Sequence, residues 1–131
     1  MESVNLAHSI LRLRLSDKTD LILLAGADAF AFHSADFRAP DGEQRIWDLL
    51  THAVLTQVEM DPADRIIRFR FSQTDIYQLN TEYLLIAEFT PPKPNLILAR
   101  QNGEAIIVDA LHKYSYADNP QRQILPKLPY Q

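Results

Sequence analysis

Alternation of apolar and polar residues over most of the chain predicts short β-strands joined by tight turns. Residues 10–15 alternate apolar side chains with Arg12 and Arg14, the two-residue period of a half-buried strand. Residues 17–20 have the composition of a turn, and residues 21–26 form a second apolar run, so the two segments predict a hairpin. Phenylalanines alternate with alanines over residues 29–32, which predicts a short third strand.

The second half of the chain predicts a further set of strands. Five apolar segments carry this pattern: residues 54–60, 65–71, 83–87, 95–99 and 105–108. Residues 61–64 form a turn that contains proline at a compatible position. Asn102 and Gly103 predict a hairpin, because both residue types tolerate the positive φ of a tight turn. After Leu111 the pattern dissolves into a segment with three prolines.

One segment has a helical period instead. Its apolar residues recur at the spacing of one helix face, namely Ile46, Leu49, Leu50, Ala53 and Val54. Asp41 is a candidate N-cap, with Gln44 at the capping-box spacing, and Trp47 is expected on the helix, partly packed against the sheet. We therefore predict an α+β fold, a mostly antiparallel sheet forming a sandwich or partial barrel with one main helix packed on it.

Composition narrows the class of protein. The chain has 131 residues, 47% of them hydrophobic, which fits a single domain over residues 1–131. It has no cysteine, no apolar run of membrane-spanning length and no secretory segment after Met1. We therefore expect a cytoplasmic protein without disulfides, thiolate-bound metal or membrane contact.

Charge is unevenly distributed around a formal net charge of −4. Residues 1–64 carry five basic and eleven acidic side chains, whereas residues 65–131 carry eight and six. The negative net charge argues against a protein that binds nucleic acid nonspecifically through a positively charged surface. The basic second half is compatible with a local anion site, or with chance.

No catalytic or metal motif is present in the sequence. The four histidines lack metal-ligand spacing, and the three glycines form no phosphate-binding loop. Asp61 and Asp64 are close in sequence, but their spacing is typical of turn chemistry rather than of an acid–base pair. We expect a protein that is not an enzyme and has no cofactor.

Two features are candidates for anion binding. Arg12 and Arg14 share one face of their strand, and Arg68 and Arg70 share one face of theirs. If these strands belong to one sheet, four guanidinium groups suit phosphates; the alternative is that they only solubilise the sheet.

The second feature is the pair Asp64-Arg65 at a predicted strand start. There, Asp64 can orient Arg65 toward a phosphate or ribose, or the two can form an ordinary ion pair.

Four segments resemble the NFACT-N domain family, which includes bacterial fibronectin-binding protein A homologues and the ribosome quality-control factors NEMF and RqcH. They are Asp64-Arg65-Ile66-Ile67, a leucine-rich strand ending in Glu88, Asn95-Leu96-Ile97-Leu98, and the closing motif at residues 122–130. The specific resemblance covers residues 64–130. The chain departs from the family before Asn95, where only Lys93 also matches, at Lys127, which replaces a glycine, and in lacking the family's first segment.

The resemblance implies a tRNA- or rRNA-binding domain of a ribosome-associated quality-control factor that acts on stalled large subunits, and a piece of a longer protein. Asp64 and Arg65 would contact tRNA, together with Arg12, Arg14, Arg68, Arg70, Lys93 and Asn95. It also implies a fold similar to the N-terminal domain of formamidopyrimidine-DNA glycosylases, without their N-terminal proline nucleophile, because the chain begins with Met1. The alternative function is a protein-interaction or adhesin module that binds a ligand such as fibronectin.

Overall fold

The computed structural model describes residues 1–26, 29–90 and 93–131. These residues contain two five-stranded antiparallel sheets. The first sheet contains β1 (Ser3–Ala7), β2 (Ile10–Arg14), β3 (Asp20–Ala25), β4 (Ala29–Ser34) and β5 (Gln44–Arg45). The second contains β6 (Val54–Asp61), β7 (Ile66–Thr74), β8 (Asn80–Glu88), β9 (Asn95–Asn102) and β10 (Glu104–Ala110). Their spatial orders are β4-β3-β2-β1-β5 and β10-β9-β8-β7-β6, so most neighbouring strands form hairpins.

The main core lies between the two sheets. The first sheet contributes Leu11 and Leu13 of β2 to this core, and the second contributes Phe69 and Phe71 of β7. Because side chains alternate along a strand, the polar residues between them point to the outer faces. The predicted strands are therefore confirmed.

A second core covers the outer face of the second sheet. Residues of β8, β9 and β10 pack there against Tyr114, Ile124 and Tyr130 of the C-terminal segment. This segment also bonds to the edge of β10, since the backbone amide of Ile107 donates to the carbonyl of Leu128 (2.8 Å). Burial on both faces explains why the sequences of β8 and β9 are continuous apolar runs rather than alternating ones.

The prediction of a main helix is wrong, and the fold is all-β rather than α+β. Gln44 and Arg45 pair with β1 as strand β5, and the only helical element in the described ranges is a three-residue 3₁₀ turn, Asp48–Leu50. Trp47 precedes this turn in the left-handed conformation (φ 53°), which interrupts any α-helix. Within the same ranges, no helix is long and apolar enough to cross a membrane.

Most of the apolar residues that predicted a helix are packed into the main core by the 3₁₀ turn and its neighbours instead. This turn and the residues beside it bury Trp47, Leu50 and Ala53 in the main core. The indole Nε1 of Trp47 donates to Asp109 Oδ2 (2.8 Å). A β-bulge between Ile107 and Asp109 turns Asp109 toward the core side, so the bond forms at the sheet and not from a helix.

Candidate functional site

The two arginine-bearing strands do not share a sheet. Arg12 and Arg14 lie on β2 of the first sheet, and Arg68 and Arg70 lie on β7 of the second. The apolar neighbours of both pairs face the common core, so the two pairs point to opposite outer faces. The predicted face of four guanidinium groups is therefore wrong.

Arg12 and Arg14 belong to an ion network on the outer face of the first sheet. Arg12 donates to both carboxylate oxygens of Glu43 (2.8 and 2.6 Å) and to Asp20 (3.1 Å). The hydrogen bond to Glu43 raises the pKa of Arg12 above its ordinary value. Arg14 donates to the second oxygen of Asp20 (3.1 Å). These contacts support the structural interpretation of both arginines, because their donors hold the buried carboxylate of Asp20.

The arginines of β7 differ from each other. Arg70 forms an ion pair with Glu59 on the neighbouring strand β6. Arg68 is half-buried and has no ion-pair partner within the described part of the chain. Neither arginine lines the cavity beside Arg65, so Arg68 and Arg70 do not form one site with Arg65.

Asp64 and Arg65 lie in the turn between β6 and β7, and Arg65 immediately precedes the first residue of β7. Asp61 holds this turn, since its Oδ1 accepts hydrogen bonds from the amides of Ala63 (3.2 Å) and Asp64 (3.4 Å). Arg65 has a left-handed backbone (φ 55°), and its carbonyl accepts from Phe89 at the end of β8 (2.9 Å). This geometry fixes the backbone of Arg65 at the end of the sheet.

The side chains of Asp64 and Arg65 are both exposed, so the guanidinium is accessible to a phosphate or ribose. Among the described residues the guanidinium of Arg65 has no ion-pair partner, and Asp64 does not pair with it. Asp64 therefore does not orient Arg65. No described residue accepts a hydrogen bond from the Arg65 guanidinium, so its donors can reach a ligand.

An open cavity of about 640 Å³ lies beside this turn, and we call it the Arg65 basin. It brings together four of the eight predicted site residues: Asp64, Arg65, Lys93 and Asn95. Three further lining residues, Glu88, Tyr114 and Arg122, were not among the predicted site residues. The end of the second sheet and the C-terminal segment thus form a single concave surface.

Glu88 fastens the C-terminal segment to the floor of the Arg65 basin. Arg122 donates from both terminal nitrogens to the two carboxylate oxygens of Glu88 (3.1 and 2.6 Å), and the hydroxyl of Tyr130 donates to Oε2 (2.5 Å). The hydrogen bond to Glu88 raises the pKa of Arg122. Two motifs that carried the family resemblance, the strand ending in Glu88 and the closing motif, therefore meet in one clamp. Because both motifs carry the family resemblance, the sequence held a signal that could have pointed to this contact.

Asn95 has a positioning role in the basin wall. Its side-chain amide donates to the carbonyl of His112 (2.9 Å), and its Oδ1 accepts from the amides of Leu96 and His112 (both 2.9 Å). The residue is buried. Because these bonds occupy the amide, Asn95 holds the C-terminal segment rather than offering groups to a ligand.

Lys93 stands on the boundary between the Arg65 basin and a second cavity of about 480 Å³. It is exposed, and its Nζ lies 5.9 Å from the centre of the Tyr114 ring. The second cavity is also lined by His112 and Lys113. Arg65 and Lys93 therefore line the Arg65 basin, and Lys113, which forms an ion pair with Asp109 (3.1 Å), lines the second cavity beside Lys93.

Burial, followed by the hydrogen bond to Glu88, raises the pKa of Tyr130 above its ordinary value. The folded domain thus favours the neutral phenol. Its contribution to stability is complete below the unfolded pKa of about 10 and is lost as pH rises through the higher folded pKa. We expect Tyr130→Phe to remove part of the loss of stability between about pH 10 and 12. Urea unfolding across that range measures it; an unchanged alkaline slope would contradict the prediction.

No group of three or more metal-ligating side chains occurs in ranges 1–26, 29–90 and 93–131. The geometry of the Arg65 basin is instead that of a solvent-open surface with cations on its rim. Together with the all-β sandwich, it defines a domain that presents a concave surface at one end of a sheet.

The family comparison agrees with the resemblance read from the sequence. The model of NFACT N-terminal and middle domains matches residues 10–131. The chain belongs to this family, and the predicted resemblance is confirmed. No curated protein matches the chain.

Two solved structures have the same fold. One is described as the N-terminal part of the fibronectin/fibrinogen-binding protein from Streptococcus suis, with a TM-score of 0.81 and 23% identity. The other is the N-terminal domain of the fibronectin-binding protein PavA from Streptococcus pneumoniae, with a TM-score of 0.79 and 19% identity. All of this chain aligns with each, but it spans only 52% and 55% of their lengths. At this identity the likeness shows the fold alone.

Proposed function

We propose that this domain is a non-catalytic RNA-binding module of a ribosome-associated quality-control factor, and that the Arg65 basin contacts the backbone of a tRNA. The observation that carries the proposal is the exposed Arg65, fixed by its backbone on the rim of a cavity that also holds Lys93. Arginine presents a planar fork of donors that matches a phosphate. Membership of the NFACT family supports this use of the site.

Local charges support a small number of phosphate contacts rather than a broad basic surface. Arg122 is neutralised by Glu88, and Asp118 accepts two hydrogen bonds from Ser115 (3.0 Å each). The backbone amide of Ser115, with its hydroxyl, lowers the pKa of Asp118. The lowered pKa keeps Asp118 charged, so Arg65 and Lys93 are the exposed cations of the basin and face the exposed carboxylates of Asp64 and Asp118. A contact of this size fits a chain whose net charge is −4.

We expect Arg65→Ala and Lys93→Ala each to remove one phosphate contact. Each substitution should weaken binding of deacylated tRNA at low salt and reduce the slope of log affinity against log salt by about one. The stability of both variants should stay within about 0.5 kcal/mol of the parent, because both side chains are exposed. Filter binding at several salt concentrations, with urea unfolding beside it, measures both quantities.

Arg38→Ala is the matched control, since Arg38 is an exposed arginine outside the Arg65 basin. It should leave the salt slope unchanged. Asp64→Asn should bind tRNA at least as tightly as the parent, because Asp64 does not pair with Arg65 and its charge opposes a phosphate. Equal losses for Arg65→Ala and Arg38→Ala would reject the basin as the site.

The alternative is a protein-interaction module. It is favoured by the description of the two structural neighbours as fibronectin-binding proteins. Fibronectin binding that survives high salt, without any tRNA binding, would support this alternative. With the proposed RNA-binding role, we propose a cytoplasmic location for the domain.

A further inference from the structure

Among the described residues, β4 is a six-residue edge strand of the first sheet, whereas β5 at the opposite edge has only two residues. The edge of β10 is covered by the C-terminal segment, and β6 has a bulge between Leu55 and Gln57 that interrupts its register. Such coverings and bulges are the usual protection of edge strands. Within the described ranges, β4 pairs only with β3, and no other backbone segment bonds to its outer side.

The register shows which backbone groups point to this open edge. The amide of Ala25 donates to Ser9 (3.0 Å), on the β2 side of β3, so the backbone groups of Leu24 point the opposite way, to β4. Leu24 pairs with Phe30, whose backbone groups therefore face β3. The alternate residues Ala29, Ala31 and His33 direct their N–H and C=O groups to the open edge.

An uncovered apolar strip lies beside the same edge. Val58 and Met60 of β6 pair with Phe69 and Ile67, so they share the face that forms the main core. They are nevertheless 54% and 67% exposed. Met60 lines one small cavity together with Ala29, which places the strip next to the beginning of β4. The first sheet is thus too narrow to cover the second.

We propose that β4 accepts an extended peptide of a partner protein as an additional strand, with bulky apolar side chains at every second position. The free backbone groups of Ala29, Ala31 and His33 would bond to the peptide backbone. Side chains of the peptide opposite these residues would lie on the core side, over Met60 and Val58. This site adjoins the Arg65 turn, because Arg65 also lines the small cavity that Met60 and Ala29 share, but it does not rest on the RNA proposal.

A second copy of the chain fits the edge less well than such a peptide. Two copies of β4 pairing with each other would present Ala29, Ala31 and His33 on the core side, and alanine is too small to cover the exposed strip. On the outer face, Phe30 and Phe32 stack with ring centres 5.7 Å apart and offer an apolar contact to the remaining peptide side chains. Bulky apolar residues therefore suit the added strand on its core side.

The test uses a synthetic pool of octapeptides in which Val, Ile, Leu or Phe alternates with Thr or Lys. Binding is followed by fluorescence anisotropy and by the backbone amide signals of the ¹⁵N-labelled chain. We expect binding, with protection of the amides of Ala29, Ala31 and His33 from exchange. Ala31→Pro removes one outward donor at a position where an edge strand tolerates proline, and should weaken binding at least tenfold. Met60→Lys, which leaves β4 intact, should do the same.

Val54→Lys is the matched control, because Val54 lies on the same strand as Met60 and is 61% exposed, but pairs with Ser72 outside the strip. It should bind within twofold of the parent. Absence of binding, equal binding of a pool with clustered rather than alternating apolar residues, or indifference to both Ala31→Pro and Met60→Lys would overturn the proposal. So would a stable dimer by light scattering that Ala31→Pro dissociates, since β4 would then serve a second copy.

Discussion

Glu88→Ala is expected to destabilise the domain by about 2 to 4 kcal/mol, because it removes one partner of a mostly buried ion pair. Glu88 is 8% exposed and accepts from Arg122 and Tyr130. Without it, the Arg122 guanidinium and the Tyr130 hydroxyl lose their shared acceptor. The C-terminal segment should then separate from the outer face of the second sheet more easily.

Urea unfolding measures this loss, and amide exchange of residues 114–130 shows whether the segment loosens first. Glu82→Ala is the control on the same strand, since Glu82 is exposed. Its effect should stay within about 0.5 kcal/mol. Equal stability of the two variants would show that the clamp contributes nothing to the fold.

Asp20→Ala is expected to cost about 3 kcal/mol, because it leaves two guanidinium groups without their common carboxylate. Asp20 is 1% exposed and bonds Arg12 through one oxygen and Arg14 through the other. Arg12 keeps its bonds to Glu43, which holds the loss near the lower end of the range for a broken buried pair.

Asp41→Ala is the control for this prediction, because Asp41 is exposed and makes no helix cap. Thermal melts and urea unfolding of both variants give the comparison. A change below about 1 kcal/mol for Asp20→Ala would mean that solvent replaces the lost bonds. The network would then be a solvated surface feature, and Arg12 and Arg14 would again be candidates for a ligand.

The strands were predictable because their two-residue period follows from the geometry of a sheet with one buried face. Leu11 and Leu13 pointed inward for that reason, and the structure confirms it. The helix was not predictable in the same way. Apolar residues three and four positions apart are also compatible with a single 3₁₀ turn. The left-handed backbone of Trp47, which stops a helix, has no signal in the sequence.

The residues of the candidate site also differ in how far the sequence could locate them. The family resemblance located Asp64 and Arg65, and the turn chemistry of Asp61 follows from its sequence position. The sheet membership of Arg12 and Arg68 depends on long-range pairing, which local periodicity does not contain. The clamp between Glu88 and Arg122 joins residues 34 positions apart, so only the folded chain brings it together.

Cross-linking of bound tRNA shows whether the Arg65 basin contacts RNA. Ultraviolet irradiation of the complex, followed by mass spectrometry of the protein adducts, locates the contact surface. We expect adducts at Arg65, Lys93 and Tyr114, and loss of those adducts in Arg65→Ala. Adducts confined to the outer face of the first sheet around Arg12, or none at any protein concentration that binds tRNA, would contradict it.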